Sequence, residues 1–154
     1  MSDEDVNFVD RQVNREDALR EGPPEIWIAL LCAIDHAVQS FEKRCCDANF
    51  GPAVECASNN ENSRTVKITR TPESTRQQYT ATVNILFDAQ GLNIVGRTTD
   101  RTQKVPEVLL RIDADETGKV FLVHKGQPVT LNQAVELLLR PIMFPEALKA
   151  RKRI

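Results

Sequence analysis

Apolar and polar positions follow two rhythms along this chain, and the change between them comes near residue 64. Over residues 25–47 (EIWIALLCAIDHAVQSFEKRCCD), Trp27, Leu30, Leu31, Ile34, Val38 and Phe41 fall at helical spacing and form one continuous stripe. Pro24 suits the first helical turn, where a missing N–H costs nothing, and Glu25 complements the positive end of the helix dipole. Lys43 and Arg44 suit the negative end, and Asn49, Gly51 and Pro52 supply the stop. Such a helix is roughly 35 Å long, enough to cross a small sheet. Burying its stripe contributes on the order of 10 kcal/mol as an upper figure.

The back of this helix carries a second pattern. Ala29, Ala33 and Ala37 recur every four residues with Ile26 alongside, a flat strip of small side chains that lets another helix come close. The candidates for that helix are the C-terminal helix of the same chain, the symmetry mate in a homodimer, and the N-terminal arm. The strip of Ile26, Ala29, Ala33 and Ala37 is therefore the candidate interaction face.

From Arg64 onward the period is two. Val66 and Ile68 alternate with Thr65, Lys67 and Thr69; Tyr79, Ala81, Val83, Ile85 and Phe87 alternate with Thr80, Thr82 and Asn84. The connection through residues 71–76 is too short for a crossover helix, so the two strands run antiparallel. Asp88, Ala89, Gln90 and Gly91 form a tight turn, with Gly91 expected to supply the positive φ. Residues 92–98, 105–113 and 119–125 make three more strands, which gives an antiparallel meander of five. One face is apolar; the other carries Thr65, Lys67, Thr69, Thr80, Thr82, Asn84, Arg97 and Arg111.

Thr130 and Gln133 have the spacing of a capping box and open a final helix, with Leu131, Ala134, Val135, Leu138 and Leu139 on its buried face. Pro141 ends or bends that helix, Ile142, Met143 and Phe144 extend its apolar surface, and Pro145 begins a further short turn. The expected architecture is α+β: a five-stranded antiparallel meander with a long N-terminal helix and a C-terminal helix packed on one face. Residues 1–22 form an acidic arm, a short weakly held helix or a mobile segment; 23–148 form one domain; 149–154 form a basic tail.

Charge and composition narrow the function classes. A net charge of −2 is too near zero to argue for nucleic acid or an anionic membrane. Aromatic residues make up only 5% of the chain, and the clearest strands put none on the polar face, so base stacking has no platform. The apolar run at residues 26–34 is too short to cross a bilayer, and the acidic first twenty residues lack the pattern of an export signal, which leaves the cytoplasm as the expected location. Cys32, Cys45, Cys46 and Cys56 then read as free thiols.

Chemistry-bearing residues are present, but not in a diagnostic pattern. Cys32 and His36 stand one helical turn apart, and Cys45, Cys46, Cys56 and His124 are available to complete a zinc set, yet the chain has no Cys-x-x-Cys pair. Asp113 to Gly118 resembles the start of a calcium loop, but His124 stands where the closing Glu belongs, and a hairpin turn is the better reading. His124, at a strand end, is the first histidine to examine for acid/base work. The sequence thus points to a non-enzymatic interaction or adaptor protein with no cofactor and no metal. Its partner is a second copy or another protein, and neither nucleic acid nor a membrane. The rival is a small-ligand or enzymatic pocket between helix and curved sheet.

Overall fold

The computed structural model describes residues 3–46, 52–71 and 77–145. Outside the described residues lie the turn signals at Asn49 and Gly51, most of the 71–76 connection, the helical turn expected after Pro145 and the basic tail. The described residues form an α+β domain with three helices and one antiparallel sheet: α1 (Asp3–Glu21), α2 (Pro23–Cys45), then strands β1 (Ala53–Ala57), β2 (Ser63–Arg70), β3 (Tyr79–Asp88), β4 (Asn93–Thr99), β5 (Val108–Ala114), β6 (Val120–His124) and β7 (Gln127–Val129), and finally α3 (Leu131–Met143). The strands pair in chain order, so the sheet is a meander.

It has seven strands where the apolar pattern indicated five. Between the helix stop and the change of period near residue 64 lies β1, whose Ala53, Glu55 and Ala57 are poor strand formers and turn outward, leaving only Val54 and Cys56 half-buried. Pairing supplies what the side chains lack, since all five residues are in register with β2, from Ala53 opposite Thr69 to Ala57 opposite Thr65. At the other edge, β6 and β7 are joined by Lys125 and Gly126, both at positive φ (50° and 80°). That is the backbone of a two-residue hairpin turn usually signalled by Asn-Gly or Asp-Gly; a lysine in the first position hid it.

The turn after β3 also differs from expectation. Leu92, not Gly91, takes the positive φ (52°). Gly91 is needed for space: a Cβ there would lie 2.4 Å from the Asp88 carboxylate, whose Oδ1 accepts the Gly91 N–H at 3.0 Å.

α2 begins on Pro23, one residue before the Pro24 that the sequence put in its first turn, with Gly22 as an N-cap that makes no side-chain bond. Its buried face is Trp27, Leu30, Ile34, Val38 and Phe41; Leu31 is only partly covered. These residues belong to one core with the inward strand positions, such as Val66, Ile68, Val83, Ile85, Ile94 and Leu110, and with Leu138, Leu139 and Ile142 of α3. Trp27 is the corner of this core. Its ring stacks on Phe87 (centroids 5.3 Å apart, planes 13° apart), and its Nε1–H donates to the Glu61 carbonyl at 2.8 Å. On the neighbouring strand β4, Gly96 lets α3 approach, since Leu138 Cδ2 lies 2.3 Å from where a Cβ would be.

The capping box of α3 is formed as its sequence predicts: Gln133 N–H donates to the Thr130 hydroxyl at 3.1 Å, and Thr130 N–H donates to Gln133 Oε1 at 2.9 Å. The helix passes through Pro141 and stops two residues later. Its last four carbonyls all find donors, the first from the C-cap N–H and the other three from side chains. Phe144 N–H reaches Arg140 O (2.9 Å), Gln103 Nε2 reaches Pro141 O (2.9 Å), and Arg70 reaches Ile142 O (2.9 Å) and Met143 O (2.7 Å).

The arm expected to be short or loosely held is a helix of 19 residues. Arg15 fixes it to the end of β5 through the Asp113 carboxylate (2.9 Å) and the Ala114 carbonyl (3.0 Å), and Arg11 pairs with Glu116 at 3.3 Å. On the outer face of the sheet the expected polar residues share a side by register, as in Thr65 opposite Asn84 and Asn84 opposite Arg97. That face also holds an apolar row absent from the sequence reading: Leu86 opposite Val95, and Val95 opposite Leu109.

Candidate functional site

The strip read from α2 is divided by the fold. Ala33 and Ala37 line one side of a surface groove of about 500 Å³, and Val135, Leu139 and Met143 of α3 line the other. Phe144 closes one end and meets Phe41 edge-on, with ring centroids 5.8 Å apart. Ile26 belongs instead to a separate hollow at the α1–α2 joint, beside Gly22 and Val120. Ala29 is half-buried and lines neither. Within the chain, α3 is the helix across from Ala33 and Ala37, and a channel separates it from them.

This channel has an apolar floor because the two flanking helices present small or flexible side chains at helical spacing. Alanine at 33 and 37 removes bulk from one wall, and unbranched Met143 adapts on the other. The rim is polar, made by His36, Asn132 and the Glu136–Arg140 ion pair one turn apart. The α3 side was visible in the sequence as a run of apolar residues. That it would stand across from Ala33 required knowing which way the two helices face.

A second groove of about 450 Å³ flanks the opposite side of α3, bounded by His124, Val129 and Gln133. Glu136 and Arg140 form the ridge between the two grooves, so His36 and His124, the chain's two histidines, lie on opposite sides of α3. They do not share a site.

The metal set suggested by Cys32, His36, Cys45, Cys46, Cys56 and His124 is not assembled: among the described residues no three His, Cys, Asp or Glu side chains gather in a metal-binding group. All four cysteines are free thiols. Burial pushes the Cys56 thiol up, against the opposing pull of Arg64, and its S–H points to Asp35 at 3.7 Å. Arg64 pairs with Asp35 at 3.1 Å, so the three side chains contact one another in a single cluster. Burial and the nearby Glu42 push the Cys46 thiol up as well. Both groups are protonated at neutral pH and poor nucleophiles.

The Asp113–Gly118 segment is a hairpin turn whose carboxylates are already engaged. Asp115 Oδ1 accepts from the Thr117 hydroxyl (2.6 Å), the Thr117 N–H (2.9 Å) and the Lys119 N–H (3.0 Å), and these bonds hold its pKa below the usual carboxylate range. The Arg15 guanidinium does the same for Asp113. Gly118 turns the chain at φ 89°.

Compared with protein-family models, with curated proteins and with solved structures, the chain matches none. No helix among the described residues is long and apolar enough to cross a membrane.

Proposed function

We propose that this chain is a non-enzymatic protein-interaction module that self-associates, or holds a partner chain, through the α2 face bearing Ile26, Ala29, Ala33 and Ala37 together with the neighbouring face of α3. The observation that carries the reading is the channel between Ala33 and Ala37 on one side and Val135, Leu139 and Met143 on the other: apolar on its floor, polar at its rim, and open at the surface. In this reading α2 and α3 lie on the same face of the sheet and hold the channel walls rigid. The rival pocket between helix and sheet requires space and a buried ionisable group there. The side chains at that level, among them Leu30, Ile34, Ile68, Ile85 and Leu138, are apolar and at most 1% exposed, which favours a filled core. The free thiols fit a reducing compartment such as the cytoplasm.

Light scattering on the eluting peak of a sizing column tests the proposal. The wild-type chain is expected at twice its 17.3 kDa mass, and Ala37→Arg at the mass of one chain. A wild-type protein that stays monomeric at high micromolar concentration removes the homodimer.

A further inference from the structure

We infer that the channel between α2 and α3 receives α1 from a second copy of this chain, in a reciprocal exchange; this rests on the interaction reading above and names the segment that fills the site. α1 carries the most exposed of the large apolar side chains among the described residues, Phe8 (62% exposed), with Val9 (54%) and Val13 (47%) beside it. Its own domain leaves about half or more of each uncovered. The channel has the complementary defect, an apolar floor with no helix on it.

The two surfaces cannot meet within one chain. α1 is held at the far end of α2: Arg15 grips Asp113 and the Ala114 carbonyl, Arg11 pairs with Glu116, and Gly22 is packed so tightly that an added Cβ would lie 2.3 Å from Val120 Cγ2. From Gly22 the channel alanines lie roughly 16–22 Å up α2, at 1.5 Å per residue. α1 leads instead toward the β5–β6 turn, so only another copy can offer its channel.

Charge selects the same occupant and its direction. Residues 3–10 contain four acidic side chains, Asp3, Glu4, Asp5 and Asp10, and no basic one. On α2, positions 33, 37, 40 and 44 share a face, so the alanine wall continues to Arg44, with Lys43 in the same turn. An incoming α1 antiparallel to α2 sets its acidic end against these two cations and aligns the helix dipoles favourably. Twofold symmetry then gives every contact twice and closes the assembly at a dimer.

The test uses the full chain and three measurements of mass in solution. Phe8→Ser/Val9→Ser changes only exposed side chains and is expected to weaken self-association by roughly a hundredfold or more. Ala37→Arg blocks the channel; should it fail to fold by circular dichroism, Arg44→Glu at an exposed position replaces it. Each variant alone is expected as a monomer, and an equimolar mixture of the two is expected to form dimer, weaker than wild type because one of its two contacts is intact, the α1 of the channel variant in the open channel of the α1 variant. A dimer abolished by the channel variant but kept by Phe8→Ser/Val9→Ser overturns the inference while the interaction reading stands. A mixture that remains monomeric also overturns it. A monomeric wild type overturns it too, and leaves only the partner-chain form of the interaction reading.

Discussion

Arg70, at the end of β2, donates one guanidinium N–H to the carbonyl of Met143 at 2.7 Å and another to that of Ile142 at 2.9 Å, and so closes the C-terminus of α3 from across the core. A cation at this position meets both the unpaired carbonyls and the negative end of the helix dipole.

Replacing Arg70 with methionine keeps most of the stem and leaves two partly buried carbonyls without donors. The expected cost is about 1–3 kcal/mol, read as a lower urea midpoint with an unchanged slope. Arg70→Lys recovers part of this, because an ammonium cannot span both carbonyls as the planar fork does.

Gly96 and Leu138 test how closely α3 approaches the sheet. Gly96→Ala places a methyl group in the volume of Leu138 Cδ2 and is expected to destabilise the chain by about 1–3 kcal/mol. In a Leu138→Ala background the same change is expected to cost much less. A double-mutant cycle with no coupling between the two positions contradicts the contact.

Trp27 is the only tryptophan and is 3% exposed, so its fluorescence reports on the core alone. Native emission is expected to be blue-shifted and to move red in one transition on unfolding. Trp27→Phe keeps an aromatic ring against Phe87 but abandons the Glu61 carbonyl; a loss of about 1–2 kcal/mol is expected by circular dichroism.

Acid weakens the seat of α1. The hydrogen bond from Arg15 lowers the Asp113 pKa in the folded chain, so this pair stabilises the fold above the ordinary aspartate range near pH ~4 and loses its effect as pH falls through the lowered value. With about 40% of each side chain exposed, the pair contributes about 0.5 kcal/mol after solvent screening. Asp113→Asn is expected to be less stable than wild type at neutral pH, with the difference shrinking at pH ~3. Urea midpoints across that range measure it. Asp100 and Asp115, also held low, titrate in both proteins and cancel from the comparison.

Large apolar residues at a clear period were legible before any coordinates. The α2 stripe, the inward side chains of β3 and the Thr130–Gln133 cap all stand where their spacing put them. What escaped were features decided by neighbours. β1 exists because β2 offers it an edge, β7 because Lys125 accepts an unusual backbone, and the split of Ile26 from Ala33 and Ala37 because α1 turns away at Gly22. The alanine spacing indicated room for another helix; α3 stands across from two of the alanines with an open channel between them, an arrangement no local pattern records.

The order of elements has a consequence for synthesis. Every strand pairs with the one made just before it, so the sheet can zip up hairpin by hairpin as the chain leaves the ribosome. The core cannot be sealed in that way, because α2 waits for α3. Until the segment carrying Leu138, Leu139 and Ile142 emerges, the nascent chain holds a finished sheet and an unsealed greasy surface, and that interval is when it most needs a chaperone.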